Sequence, residues 1–388
     1  MSRDLRGQCA VVGVGLAGCG EAPGYSELDL AAEASRRAIA DAGLTLRDID
    51  GVITASLETN MPVLSLCEYL GIQPAFSDGT GIGGSSFIAH LVPAMLALEQ
   101  GLCNAVLIAY GSNPRTGSNR VPYAKARAVL NASPFEAPYT PTGAVNAYAL
   151  AAARYMHEYG VTRRHLAQVA VDARAWAQKN PMAFERGPLT ITDVLASRMV
   201  SSPLSVRDCC LVTDGAGAVV VVRKDRAADL PRPPAYILGA GMAHSHRSIS
   251  SMPDLTTTPA KESGARAFRM AKAGPQDVKV LQLYDAFTIN VLLFLEDLGF
   301  CKRGEAGSFV ADGHIGPGGS QPVNTNGGGL SCVHPGMYGI FALIEAVEQL
   351  RGSAGERQVP GVDIALAHGN GGVFSSQATA ILGTRNAL

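Results

Sequence analysis

The 388 residues are 47% hydrophobic and carry a formal charge of −1, enough chain for two domains of ordinary size with ample core. The lack of a basic excess argues against a nucleic-acid footprint or a polybasic membrane patch, and no apolar run reaches membrane-spanning length. The opening MSRDLRG has no signal-peptide character, so a cytoplasmic location is expected, and the eight cysteines, scattered without CxxC pairs, read as reduced thiols rather than disulfides or zinc ligands.

In chain order, Cys9 to Leu16 (CAVVGVGL) is an apolar run ending in glycines, which predicts a buried strand with a tight turn behind it. Between Leu28 and Gly43, the residues Leu30, Ala34, Ala38, Ile39 and Ala42 share one helical stripe, and Gly43 stops the helix. A strand over Ile49–Ala55 and a short helix over Pro62–Leu70 follow. In DGTGIGGSSFIAHLVPAMLALEQG (Asp78–Gly101), glycines and paired serines open an apolar, therefore buried, helix, with the serines expected as its N-caps. Asn104–Tyr110 (NAVLIAY) returns to a strand. GVGLAG at Gly13–Gly18 resembles a dinucleotide loop, but its third glycine falls one position short of GxGxxG and no acidic residue closes the unit.

The same layout recurs after Pro231. VVGVGLA (Val11–Ala17) has a counterpart in ILGAGMA (Ile237–Ala243), and ADAGL (Ala40–Leu44) in AKAGP (Ala271–Pro275). The glycine-led helix of Gly81–Gly101 matches Gly327–Gly352, and VLIAYG (Val106–Gly111) matches IALAHG (Ile364–Gly369). Four matches in one order predict two copies of a β-α-β-α-β unit facing each other. Ser112 to Pro203 stands outside the repeat. Pro114–Pro141 reads as an irregular loop, whereas Asn146–Gly160 and Arg163–Gln178 read as helices, together an inserted cap over the active-site face. Arg207–Val222 (RDCCLVTDGAGAVVVV) is expected to close the first half as a hairpin or crossing pair, with Lys224–Pro234 as the linker.

Within PVNTNGGGLSCVHPGMYGIFALIEAVEQLRG (Pro322–Gly352), Gly327, Gly328 and Gly329 precede His334 and Tyr338 at the mouth of a helix predicted from about Tyr338 to Leu350. A helix start leaves free N–H groups and partial positive charge facing whatever binds there. His244-x-His246 offers two ligands without a third, so a solvated loop outweighs a metal site.

VNTNGGGLSCVHP at Val323–Pro335, DCCLVTDGAGAVVVV, and NGG at Asn370–Gly372 resemble the signatures of the thiolase superfamily over essentially the whole chain. With YDAFT at Tyr284–Thr288, the likeness is closest to the branch similar to the sterol carrier protein 2 thiolases. The resemblance implies an α/β thiolase fold, two pseudo-symmetric βαβαβαββ halves in a five-layer αβαβα arrangement. The first half would span residues 1–225, with the cap at about 112–203, and the second residues 226–388. Dimerisation is a family expectation.

Two departures alter the chemistry. The register of the thiolase nucleophilic cysteine falls on Gly84-Ser85-Ser86, and that of its second cysteine on Gly369. Without a thiolate at a helix N-terminus the usual acyl-enzyme cannot form. What remains is an acyl-thioester pocket suited to reactions through an enolate. Tyr284, Tyr338, LEDLGFCKRGEAG (Leu295–Gly307) and HGNGGVFSS (His368–Ser376) resemble the thiolase-like aldolases of steroid side-chain degradation.

That resemblance implies cleavage of a tertiary β-hydroxyacyl-CoA to a ketone and a shorter acyl-CoA, in company with a small zinc-ribbon, OB-fold protein of the domain-of-unknown-function-35 family. Tyr284, Tyr338 and His334 are then the expected catalytic residues. Gly84, Ser85, Asn324, Gly371 and Gly372 are expected around the thioester, with Asp285, Cys332 and His368 behind them. No metal and no cofactor bound by the chain are expected, coenzyme A entering as part of the substrate. The two tyrosine roles remain exchangeable, and a phenol with an ordinary pKa near 10 needs a nearby imidazolium or helix end to act as base. The rival expectations are an acyltransferase that uses Cys332 or a serine, and a non-catalytic acyl-CoA-binding subunit.

Overall fold

The computed structural model describes residues 4–117, 136–139 and 143–388. The first half comprises β1 (Cys9–Gly20), α1 (Glu27–Asp41), β2 (Gly51–Thr54), α2 (Pro62–Leu70), β3 (Phe76–Asp78), α3 (Ser86–Ala89), α4 (Leu91–Glu99) and β4 (Ala105–Ser112). The chain then leaves the layout for α5 (Ala144–Tyr159), α6 (Arg163–Gln178), α7 (Ile191–Ala196) and the small hairpin β5 (Met199–Ser201) and β6 (Leu204–Ser205). It rejoins at β7 (Asp214–Arg223). The second half runs through β8 (Ala235–His244), α8 (Ala260–Ala271), β9 (Val280–Leu283), α9 (Thr288–Asp297), α10 (Ala306–Ala311), α11 (Gly339–Arg351), β10 (Ile364–Gly371) and β11 (Ser376–Gly383). Most of the irregular Pro114–Pro141 stretch lies outside the described residues.

Nine strands join in the order β3-β2-β4-β7-β1-β8-β11-β10-β9. The centre of this sheet is thin, since β1 meets β8 through only Ala10↔Tyr236 and Val11↔Ala235. On either side the two halves mirror each other. A single parallel bridge, Leu281↔Val323, stands in the second half where β3 stands in the first. α1 packs on β1, β4 and β7, α8 packs on β8 and β11, α4 and α11 reach strands of both halves, and α3, from the first half, packs on β8, β10 and β11 of the second. The layers are therefore helix, sheet, helix, sheet, helix, and the residues expected to be catalytic sit at the end of β9 and in the loop leading into α11.

The paired glycines of the repeat have a packing cause. A Cβ on Gly13 would stand 2.8 Å from Cβ of Ala42, and one on Gly15 would stand 2.5 Å from the Ala38 nitrogen, both on α1 or its C-cap. Gly239 and Gly241 do the same for α8, where the added carbon would lie 2.8 Å from the Ala271 nitrogen and 2.7 Å from Cβ of Arg266. Glycine on every second strand residue thus lets a helix lie directly on the sheet. This corrects the turn expected after Leu16: β1 runs on to Gly20, and GVGLAG is strand, not a phosphate loop.

The hairpin expected at Arg207–Val222 is corrected in the same way. Asp214–Arg223 is one continuous strand, antiparallel to both β1 and β4. Its glycines make room for α11, since a Cβ on Gly217 would lie 3.0 Å from both Ile340 and Ile344.

Candidate active site

Tyr284 ends β9 and is aimed by backbone bonds from two directions. Its own N–H donates to the His368 carbonyl at 3.1 Å, and the preceding Leu283 N–H donates to Asn324 Oδ1 at 2.7 Å. Asn324 holds the left-handed conformation (φ 52°) that this reach requires, so its carbonyl oxygen is engaged with the strand. Next in sequence, Asp285 is fully buried and takes N–H bonds from Gly329 (2.6 Å) and Leu330 (3.3 Å) in the glycine loop. The Tyr284-Asp285 pair thereby ties β9 to the loop that carries His334.

His334 and Tyr338 arrive from that loop. The His334 N–H donates to Thr213 Oγ1 at 2.9 Å, and Tyr338, at the N-cap of α11, donates its phenol hydroxyl to Asn326 Oδ1 at 2.9 Å. Gly328 N–H donates to the same oxygen at 2.8 Å. The Tyr284 ring meets His334 edge-on with centroids 5.6 Å apart, and meets Tyr338 edge-on at 5.7 Å. The three side chains predicted from sequence as catalytic therefore form one cluster. The Tyr284 hydroxyl donates to the Gly336 carbonyl over a long 3.3 Å and is approached by the Tyr338 N–H, and His334 Nε2 is buried with no partner among the described residues.

At the register of the missing nucleophile, a Cβ on Gly84 would stand 2.6 Å from both Cζ and the hydroxyl oxygen of Tyr284. The tyrosine ring occupies the space a cysteine would need. Gly83 and Gly371 press together as closely: a Cβ on Gly83 would stand 2.9 Å from the Gly372 nitrogen, and one on Gly371 would stand 2.6 Å from Ser85 Oγ. Gly372 is left-handed at φ 65°, so the loop before α3 and the turn after β10 form one glycine-lined wall beside Tyr284.

Burial sets the protonation states. It pushes the His334 pKa down to about 4, so the imidazole is neutral at pH 7. It also pushes both phenols well above 10, with Cys210 and Tyr148 adding to the effect at Tyr284 and the Asp285 charge adding at Tyr338. Neutral His334 therefore supplies no imidazolium, which leaves a helix end as the other of the two aids the sequence argument named for a phenolate. Asp285 is raised to about 7 by burial, against the N–H bonds from Gly329 and Leu330 and the Asn324 side chain.

The remaining residues are placed as follows. Ser85 Oγ donates to the Ile82 carbonyl at 3.0 Å and lies 2.8 Å from Ser376 Oγ, while Ser86 Oγ accepts from the Ile82 N–H at 3.0 Å. Neither serine caps the helix as expected. Both brace the loop in front of it. His368 lies inside β10 with both ring nitrogens bonded, to Thr379 Oγ1 and Gln377 Oε1 at 2.9 Å each, and touches Tyr284 through its carbonyl. Cys332 faces away, into a cavity of about 180 Å³ lined by Cys19, Asn180, Met182 and Arg357. Burial raises its thiol well above 9, the opposite of what a nucleophile needs. His244 and His246 bond Ser376 and the Val373 carbonyl, and no cluster of three metal-ligating residues exists among the described residues.

Three neighbours of the site went unread in the sequence. Tyr148 of α5 was one apolar position on a helical stripe, Cys210 was part of an expected strand, and Asn326 was lost among the glycines. None carries a local signal for the site, because the contact that brings each to it, Tyr148 with Gly372, Cys210 with Tyr284 and Asn326 with Tyr338, spans more than 10 residues.

Comparison with known proteins places the chain as a whole. Residues 241–384 match the family described as Thiolase C-terminal domain-like. The chain is 36% identical to the 17-hydroxy-3-oxo-4-pregnene-20-carboxyl-CoA lyase of Mycobacterium tuberculosis, over 96% of this chain and 98% of that one. It is 33% identical to an acetyl-CoA acetyltransferase of Methanothermobacter thermautotrophicus, over 96% and 98%. The solved Ltp2-ChsH2(DUF35) aldolase superposes with a TM-score of 0.89 at 35% identity, over 98% of both chains. The chain belongs to the thiolase superfamily, in the branch similar to the sterol carrier protein 2 thiolases that includes the steroid side-chain-cleaving aldolases. No helix among the described residues is long and apolar enough to cross a membrane.

Proposed function

We propose that the protein is a cytoplasmic acyl-CoA retro-aldolase that cleaves a tertiary β-hydroxyacyl-CoA, a steroid side-chain thioester, to a ketone and a shorter acyl-CoA such as propionyl-CoA. The observation that carries this reading is the Tyr284 ring in the space beside Gly84 where a thiolase cysteine would stand. An acyltransferase needs a nucleophile there, and Cys332 faces a different cavity.

In the proposed cycle the Tyr284 phenolate takes the β-hydroxyl proton. The Cα–Cβ bond breaks, its electrons pass into the thioester enolate, and the ketone departs. Neutral His334, with Nε2 unpartnered, and N–H groups of the Gly83–Ser85 and Gly371–Gly372 wall hold the enolate oxygen. Tyr338 returns a proton to Cα. The pair thus ends with its single negative charge on the other ring, and proton exchange through solvent restores it. Tyr284 takes the base role because its hydroxyl is the more loosely held, 3.3 Å from Gly336 O against 2.9 Å for Tyr338 and Asn326.

The chain binds no cofactor of its own in this scheme. It works as a homodimer with a small zinc-ribbon, OB-fold protein of the domain-of-unknown-function-35 type, a partner suggested by the composition of the solved aldolase. The test is to supply the purified protein, with and without that partner, with a tertiary β-hydroxyacyl-CoA of steroid type and with a 3-ketoacyl-CoA plus free coenzyme A. Ketone release from the first supports the aldolase. Thiolysis of the second alone would move the assignment to an acyltransferase.

A further inference from the structure

A buried line of hydrogen bonds runs from the outer helix α8 through the second half-sheet to the glycine turn at the site. Ser263 Oγ lies 2.8 Å from Thr379 Oγ1, which lies 2.9 Å from His368 Nδ1. His368 Nε2 lies 2.9 Å from Gln377 Oε1, and Gln377 Nε2 donates to Asn370 Oδ1 at 2.7 Å. Asn370 Nδ2 donates to the Tyr148 hydroxyl at 2.7 Å, and that hydroxyl donates to the Gly372 carbonyl at 2.9 Å. Every side chain in the line is buried, and Tyr148 is the only one of them that comes from the cap.

The end of the line dictates the direction of every bond in it. A carbonyl can only accept, so the Tyr148 proton is committed to Gly372, and Asn370 must then present its amide nitrogen to the phenol oxygen. Its carbonyl oxygen consequently faces the Gln377 nitrogen, the Gln377 oxygen faces His368, and His368 must carry its proton on Nε2. Bare Nδ1 accepts from Thr379, and Thr379 accepts from Ser263. Bonds aligned in one sense polarise one another in a low-dielectric interior. They also make the Gly372 carbonyl direction, and with it the orientation of the turn at left-handed Gly372, insensitive to small motions of the wall.

Two further contacts connect this line to the chemistry. The carbonyl of its middle member, His368, holds the Tyr284 N–H, and the Tyr148 ring packs against Phe287 and Phe374 with centroids 4.5 Å away in each case. Asn290, in the first turn of α9, is fully buried with both amide atoms unpartnered and approaches the same hydroxyl.

We propose that Tyr148 is a positioning residue for the cleavage: the cap helix sets the Gly371–Gly372 turn through its hydroxyl, with Asn370, Gln377 and His368 as a one-way hydrogen-bond line behind it. This rests on the aldolase reading for its kinetic test but not for its structural one. Tyr148→Phe keeps the ring packing and removes only the bond. Asn370→Asp is close to isosteric yet cannot donate, so it draws the phenol proton to itself and away from Gly372.

The experiment measures kcat and KM for each variant and for the double variant, together with amide hydrogen exchange of residues 371–376 in the absence of substrate. Each single variant is expected to lose about tenfold in kcat, the order of one hydrogen bond, with KM within about twofold of wild type, and the double variant is expected to lose no more than either single. Exchange at 371–376 should quicken in both. Multiplying losses, or unchanged kcat, would overturn the proposal. Should the wild type cleave no β-hydroxyacyl-CoA, the aldolase reading falls, and the exchange measurement alone decides on Tyr148: unaltered exchange in Tyr148→Phe would refute it.

Discussion

Gly84 and Tyr284 exclude each other's alternatives: a Cβ on the glycine would stand 2.6 Å from the phenol oxygen, so this backbone can hold either a side chain at position 84 or the tyrosine ring beside it. Contacts that short force one group to move. The relationship explains why loss of the family's nucleophile is compatible with an intact site, since the vacated volume is refilled by a group able to move protons.

Gly84→Ala is therefore expected to displace the Tyr284 ring and to lower kcat by about 100-fold, the scale of a 1 Å misplacement at a reacting centre, while acyl-CoA binding survives. Steady-state kinetics with calorimetric titration of a non-cleavable acyl-CoA checks this. A fully active alanine variant would show that the ring tolerates the methyl group and that its present position is not required.

The pH dependence of the reaction follows from the buried phenols. Tyr284 and Tyr338 are both pushed well above 10, so the fraction carrying the one phenolate grows with pH throughout the neutral range. We expect kcat/KM to rise continuously from pH 6 to at least pH 9. A plateau reached by pH 7 would indicate a base with a lower pKa, and Asp285, raised to about 7, would be the first group to replace.

Cys332 is expected to be dispensable for catalysis. It points into the cavity with Cys19 and Asn180, and Asn180 Nδ2 approaches its sulfur at 3.5 Å. Cys332→Ala should retain kcat within about twofold and lose about 1 kcal/mol of stability for a small buried group removed. Loss of turnover with an unchanged melting temperature would restore the displaced-nucleophile mechanism.

Acid should weaken the fold through its buried histidines. Burial lowers His90 and His334 to about 4 and His368 to about 3, whereas an unfolded histidine titrates near 6.5. The unfolded chain therefore binds more protons between those values, and the stability present above pH 6.5 is lost as the pH falls toward 4. Asp285, raised to about 7, acts with the opposite sign across that whole window, and Asp172, raised to about 6, across most of it. With His246 also lowered and Asp297 also raised by burial, the four histidines outweigh the three carboxyls, and the net loss is read as a lower urea midpoint at pH 5 than at pH 7. An equal or higher midpoint at pH 5 would contradict these assignments.

Much of this was legible because the two halves repeat. VVGVGLA and ILGAGMA lie at matching places in sequence and in the sheet, and His334 and Tyr338 sit where a glycine loop meets a helix start. The errors in the strands share one physical origin. Glycine was read as a turn signal at Gly13, Gly15 and Gly217, where the structure uses it to admit a helix against a strand, and local sequence cannot distinguish a backbone that bends from one that is closely approached. The serines at 85 and 86 met the pattern of a cap, but their hydroxyls found nearer partners on Ile82. Tyr148 was invisible for a different reason, since its partners Asn370 and Gly372 are more than 200 residues away.

The most direct test of the central claim is a product assay by mass spectrometry on wild type, Tyr284→Phe and Cys332→Ala, each with the zinc-ribbon partner and a tertiary β-hydroxyacyl-CoA. The account predicts a ketone and a shortened acyl-CoA from wild type and Cys332→Ala, and a loss of about 1000-fold in Tyr284→Phe, the middle of the range for removing a general base. Full cleavage by Tyr284→Phe, or turnover abolished in Cys332→Ala alone, would contradict it.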